Sequence, residues 1–201
     1  MHGIVYFIIY LLIRALTQNF KYKRFLKFYE NNQNCYLHDI GFKYIPLLKF
    51  NFLDDIIVLI PVFICIYLRV NTHDFLLLLT IIYIIREITT FVTLLPPTPY
   101  CIDQNNKKMD KSEIITRISG LCNETVFSGH TTLMLLSFLF ILPKVKSKFI
   151  KILIYLYLVL GSITILALRS HYTLDVFLAW TISILVYLCY FGKNIYKSLI
   201  L

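Results

Sequence analysis

Two histidines and an aspartate stand at the heads of apolar runs in this chain of 201 residues. His171 and Asp175 are four residues apart in R-S-H-Y-T-L-D-V (169–176), where a polar turn feeds a long apolar run. On a helix they share one face, so the imidazole can serve as a nucleophile and the carboxylate can orient it. His130 ends F-S-G-H (127–130) at the head of another apolar run and supplies a proton donor and acceptor at a comparable depth. Two histidines at two helix mouths point to phosphoryl chemistry, in which one takes the phosphoryl group and the other handles protons. Singly, each has a plainer reading: a membrane histidine can be a hydrogen-bonded core residue, and Asp175 can cap a helix near its N-terminus.

The elements that must position these residues are membrane helices. Mean hydropathy is +0.71, 58% of residues are hydrophobic and only 15% are charged, outside the range of a soluble domain. Apolar windows able to cross about 30 Å of hydrocarbon recur near 56–70, 75–95, 126–142, 149–168 and 172–191. A sixth, 3–17, is short and carries Arg14 near its end, where it is expected to tilt or snorkel. No basic stretch precedes it and no A-x-A-like site follows it, which argues against a cleaved signal peptide. The expected fold is therefore all-α: a polytopic bundle of about six transmembrane helices forming a single membrane domain over 1–201.

Counting crossings brings the histidines together. One span separates T-V-F-S-G-H-T-T-L (125–133) from H-Y-T-L-D-V-F (171–177), so the chain leaves the His130 face, crosses twice and returns to it at His171. The polar loop of residues 96–125 reaches the same face. It opens with P-P-T-P, which ends the preceding helix, and it holds Cys101 and Cys122. Those two thiols can pair if the face is lumenal or extracellular and stay reduced in the cytosol. Cys65 and Cys189 lie inside apolar runs and read as small hydrophobic residues.

Other signals are weaker or absent. Residues 19–52 interleave Lys21, Lys23, Arg24 and Lys27 with Tyr22, Phe25, Phe28 and Tyr29, as an interfacial amphipathic segment or a site for anionic head groups would. Arg86 and Glu87 lie near the centre of an apolar run, where ionisable groups are costly; Arg86 is read as inward-facing, and each residue is expected to find a partner on another helix. No zinc spacing, C-x-x-C, glycine-rich phosphate loop or internal repeat is present. Neither a metal nor a cofactor is expected. The net charge of +9 flanks membrane spans, which suits a membrane surface better than nucleic acid.

These motifs together resemble those of the sphingomyelin synthases and related sphingolipid synthases of the lipid phosphate phosphatase superfamily. The resemblance rests on C-x-E-x-x-F-S-G-H-T (122–131), H-Y-T-x-D-V (171–176) and R-x-x-T-x-x-V-T-x-L-P-x-x-P (86–99), in order. L-H-D-x-G (37–41) is similar to a worn form of the family's proline-rich segment between the first two spans. The family's usual C-G-D is replaced by Cys122, Asn123 and Glu124, which bears on head-group choice more than on catalysis.

The resemblance implies that His171, oriented by Asp175, takes a phospho-head-group from a phospholipid donor such as phosphatidylcholine. His130 would protonate the departing diacylglycerol and then deprotonate the ceramide acceptor. Ser128 and Gly129 are expected to offer hydroxyl and N–H donors to phosphate, and Arg86, Glu124 and Tyr172 are the remaining candidate substrate-binding residues.

A hydrolase of the same superfamily is the first alternative. Its K-x6-R-P and S-R-x5-H patterns are missing, however: Lys111 and Arg117 stand one residue too close, Ile118 replaces the proline, and Ile165 stands in place of the arginine. A non-catalytic lipid-binding or transport protein is the second alternative, and it is disfavoured because no histidine or aspartate of the set is lost and no interrupted-helix repeat is visible.

Orientation is contested. Eleven basic residues on the histidine face (Lys21, Lys23, Arg24, Lys27, Lys43, Lys49, Lys107, Lys108, Lys111, Arg117 and Arg169) against seven opposite would place the site in the cytosol. The resemblance implies a lumenal or exoplasmic site in an endomembrane, Golgi-like, or in the plasma membrane.

Overall fold

The computed structural model describes residues 2–31, 37–50, 53–96, 98 and 126–200. Glu124, Cys101, Cys122 and the rest of residues 99–125 lie outside the described residues. Within a bilayer every backbone N–H and C=O needs an internal partner, and this chain meets that demand with helices alone among the described residues. They are α1 (His2–Asn31), α2 (Ile40–Tyr44), α3 (Leu53–Tyr67), α4 (Thr72–Val92), α5 (Gly129–Ile141) with a 3₁₀ turn (Leu142–Lys144), α6 (Lys148–Ala167) and α7 (Thr173–Ile200). Polar residues start them where the sequence supplies caps: Asn71 accepts from His73 and Asp74 N–H, Ser128 from Thr131 N–H, and Ser147 from Ile150 N–H.

Contacts at the helix ends fix the topology. Asp55 meets His130 where α3 and α5 share one end of the bundle, and Lys144 reaches the Leu68 and Arg69 carbonyls at the other. α3 and α5 are therefore parallel. Tyr190 donates to Asp74 at the far end, and the Ser128 N–H reaches the Asp175 carbonyl at the near end. α1 runs parallel to α4: Gly3 abuts the His73 backbone so closely that a Cβ there would collide with it, and Lys21 pairs with Glu87. α1, α3, α4, α5, α6 and α7 thus all run between the same two ends, and both histidines sit at one of them.

α5 is the hub. It packs on α3, α4, α6 and α7, and nine of its 13 residues are buried, which matches an apolar sequence with no polar stripe. α6 lies at the edge and buries only one stripe, Ile154, Leu158, Gly161 and Ile165, at helical spacing. Phe149, Leu153, Tyr155 and Leu160 on its other side are exposed, as suits a surface bathed in acyl chains.

Three helices, Thr72–Val92, Lys148–Ala167 and Thr173–Gly192, are by length and composition able to cross a membrane, whereas the apolar parts of α1 (Gly3–Gln18) and α5 (Gly129–Lys144) are shorter and α3 has 15 residues. Among the described residues, three helices rather than six therefore meet both criteria. The chain is an all-helical integral membrane protein.

α1 departs from expectation. Instead of a short span followed by an interfacial segment, one helix continues to Asn31, because no proline and no glycine interrupts residues 4–31. Arg14 does not snorkel. It is buried and donates to the Tyr10 hydroxyl at 2.9 Å, and it lies 3.9 Å from Glu87. Lys21 is buried as well, 2.6 Å from Glu87, so it belongs to the α1–α4 seam and not to the membrane surface. The pairing explains how an acidic residue is tolerated in an apolar helix.

Candidate active site

The two histidines converge. The rings of His130, at the second position of α5, and His171, in the turn before α7, have centroids 5.9 Å apart and cross at 62°. Both turns are entered through residues in the left-handed region, Phe127 (φ 75°) and Arg169 (φ 59°). Side chains without special backbone freedom hold this conformation only where surrounding contacts enforce it.

Those contacts are present. The Phe127 ring is fully buried and its carbonyl accepts from Arg86 Nε at 2.8 Å. Arg169 donates to the carbonyls of Leu166, Phe42 and Ile45 and lies 4.4 Å over the Phe42 ring.

Asp175 joins the two motifs. Its backbone carbonyl accepts the Ser128 N–H at 3.1 Å, and its carboxylate Oδ2 accepts the Tyr172 N–H at 2.9 Å. The same Oδ2 is 3.7 Å from His171 Nδ1, longer than a hydrogen bond, and His171 Nδ1 and Asp175 Oδ1 are buried without hydrogen-bond partners. Burial holds the His171 imidazolium pKa below its ordinary value, the nearby charges of His130 and Arg86 push the same way, and Asp175 opposes them. A neutral imidazole with Nδ1 turned to a carboxylate leaves Nε2 as the nucleophilic nitrogen, and charge developing on the ring would draw the carboxylate in. Catalytic hydrogen bonds of this kind are often long before substrate binds.

A pair of aspartates at the start of α3, unread in the sequence, supports both histidines. Asp55 Oδ1 is 3.2 Å from His130 Nε2, and Asp54 Oδ2 accepts from the Ser170 hydroxyl at 2.9 Å, beside His171. Crossing counts place Asp54 and Asp55 at the histidine end, but acidic residues also favour helix N-termini for electrostatic reasons, so position alone is a weak signal.

A second support comes from L-H-D-I-G-F. Asp39 caps α2 through the Phe42 N–H and also accepts the Thr173 N–H and hydroxyl, each at 2.7 Å, at the head of α7. Gly41 packs on Thr173, where a Cβ would collide with the hydroxyl, and its N–H donates to that oxygen.

The remaining candidates occupy varied positions. Ser128 is fully buried: its hydroxyl oxygen caps α5 and its N–H is engaged by Asp175. Gly129 starts α5, with the Arg86 guanidinium carbon 3.7 Å from where its Cβ would stand. Arg86 is buried and supports the F-S-G-H turn, and Glu87 turns to α1, so these neighbours do serve different helices. Tyr172 is buried with its ring stacked on Phe42 at 5.4 Å, a packing contact that ties the His171 turn to α2. Glu124 lies outside the described residues. No group of three or more metal-ligating side chains occurs among the described residues.

Comparison with known proteins adds to this geometry. Residues 121–191, which contain all three of His130, His171 and Asp175, match the family model described as PAP2 superfamily C-terminal. Phosphatidylcholine:ceramide cholinephosphotransferase 2 of Mus musculus, of Homo sapiens and of Rattus norvegicus are each 29% identical to this chain over 136 residues. The match covers 58% of this chain and 37% of each relative. Residues 121–191 are thus similar to the C-terminal segment of the PAP2 superfamily, and the chain, which spans little more than a third of the length of these ceramide cholinephosphotransferases, resembles them over that stretch and its flank.

Proposed function

We propose that this protein is a sphingolipid synthase that transfers a phospho-head-group, phosphocholine first among candidates, from a glycerophospholipid to ceramide and releases diacylglycerol. The observation that carries this reading is the convergence of His130 and His171, with Asp175 behind the latter, at one end of a membrane bundle.

In the first step His171 Nε2 attacks phosphorus, the bond from phosphorus to the glycerol oxygen breaks, and that oxygen leaves with a proton from His130. In the second, His130 takes the proton of the ceramide primary hydroxyl, whose oxygen attacks the phosphohistidine and restores the free imidazole. Asp175 stabilises the imidazolium character of His171 in both steps. Asp55 holds His130, and the Gly129 and His130 N–H groups, which the Ser128 cap does not engage, serve the phosphate oxygens. In this reading the chain is one membrane domain of six spans whose active end faces the lumen or exoplasm.

The test is direct. Detergent-solubilised protein is incubated with fluorescent ceramide and phosphatidylcholine, phosphatidylethanolamine or phosphatidylinositol, beside His171→Ala, and the lipid products are resolved. A ceramide-bound head group absent from the variant is expected and names the donor. A free phospho-head-group alone makes the protein a hydrolase, a reading that the part-exposed side chain of His130 would serve by admitting water. Protease protection of a tag placed in residues 96–125 tests the orientation.

A further inference from the structure

Beside the His171 turn, α2 and the first turns of α7 enclose an open groove of about 590 Å³. Its walls are apolar: Leu37, Ile40 and Tyr44 on one side, Leu174 and Phe177 on the other, and all five are exposed. Lys43 stands at the rim, exposed, with its ammonium 5.2 Å over the Tyr44 ring. The acid among the lining residues, Asp39, is occupied by the N–H and hydroxyl of Thr173. The groove thus combines an apolar trough with a cationic rim.

Its place in the fold determines what can fill it. α7 is one of the helices able to cross a membrane, and Leu174 and Phe177 lie on its first two turns, at the depth where acyl chains meet head groups. Five large apolar side chains at that depth are better covered by an acyl chain than by water. A polypeptide segment in the same trough would bring backbone N–H and C=O groups that the apolar walls cannot satisfy, whereas an acyl chain brings none. A lysine one turn above such a trough attracts the phosphate of a lipid in the adjoining leaflet, with its aliphatic stem on the apolar surface.

We propose that this groove is a docking site for an anionic glycerophospholipid, its phosphate on Lys43 and one acyl chain along Leu174 and Phe177. The site is distinct from the histidine pair. The bound lipid would lie against Asp39 and Thr173, the contact that fixes the head of α7, and would thereby brace the turn that carries His171. The proposal does not depend on the transfer reaction, and its test is a binding measurement.

The full chain, with its single tryptophan replaced (Trp180→Phe), is placed in phosphatidylcholine nanodiscs containing increasing fractions of phosphatidic acid with brominated acyl chains, which quench indole fluorescence. Phe177→Trp reports on the groove. Ile163→Trp, exposed on α6 four residues from the same end of the bundle, reports ordinary lipid contact at similar depth. Half-maximal quenching of the groove reporter is expected at a mole fraction about five-fold lower than that of the α6 reporter, the effect of about 1 kcal/mol from one lysine near anionic lipid. Lys43→Glu, an exposed change, is expected to bring the two curves together. Coincident curves without that substitution would overturn the site, and a five-fold difference that survives it would overturn the placement of the phosphate on Lys43.

Discussion

The Ser128 N–H donates to the backbone carbonyl of Asp175 at 3.1 Å, so the residue that opens the His130 helix is fastened to the residue proposed to orient His171. Two segments remote in sequence therefore move as one unit. Through backbone atoms the site fixes the separation of its histidines, and the Asp175 side chain remains available for His171.

His171 and Asp175 are expected to differ in how they fail. His171→Ala should abolish transfer and, with it, any acid-labile phosphoenzyme trapped from labelled donor. Asp175→Asn should keep the fold and reduce turnover by about 10³- to 10⁴-fold, the scale seen when an orienting carboxylate is neutralised. Equal activity of Asp175→Asn and wild type would remove Asp175 from the mechanism.

Asp55→Asn should slow turnover by about 10- to 100-fold if it holds the proton-transferring His130 in place. The same loss should shrink with p-nitrophenyl phosphocholine as donor, because its leaving oxygen needs no proton. Release of p-nitrophenolate reads this out. His171→Ala should not be rescued by that donor, which separates a defect in proton transfer from a defect in attack.

Burial lowers the His171 pKa in the folded protein. The free imidazole is thus retained to a pH below the ordinary value near 6.5, and turnover should fall only on acidification beyond it. The stability effect has a definite sign. Below pH 6.5 the unfolded chain binds this proton before the folded chain does, so the group's contribution falls as pH drops from 6.5 to the folded pKa and then levels off. Thermal unfolding of wild type and His171→Gln across this window should show the two melting temperatures drawing together toward acid pH.

The α2 clamp should matter for both stability and rate. Arg169→Lys keeps a positive charge but loses the planar fork that spans three carbonyls, and a destabilisation of about 1.5–3 kcal/mol is expected from bonds to a charged donor. Asp39→Ala should lower kcat more than KM, since it frees the head of α7 without touching substrate. A proportionate change in both parameters would argue against a positioning role.

In the α1–α4 seam, Glu87→Leu should be strongly destabilising, by roughly 3–5 kcal/mol, because it leaves the buried Lys21 ammonium without its carboxylate. The double variant Glu87→Leu with Lys21→Met should recover much of that loss. Melting temperatures of the two single variants and the double variant in detergent measure the coupling.

The sequence by itself determined a great deal about this protein, and for identifiable reasons. Mean hydropathy and apolar runs established an all-helical membrane chain, since a bilayer leaves few backbone alternatives. The crossing count from His130 to His171 placed the histidines at one end of the bundle, because membrane thickness acts as a ruler, whereas His171 stands in the turn before α7 and not on one helix face with Asp175.

What tertiary structure alone decided were the partners of polar side chains. Lys21 reads as interfacial in a basic, aromatic-rich stretch, yet it is buried against Glu87, 66 residues away, because α1 runs on without a breaker and lies parallel to α4. Asp55 belongs to no motif and proves to be the partner of His130; Asp39 reads as part of a worn motif and proves to hold the head of α7. A local pattern reports which face a residue occupies, but hydrogen bonds between helices depend on their relative direction and register. Those are set by packing over the whole bundle, and no window of sequence contains them.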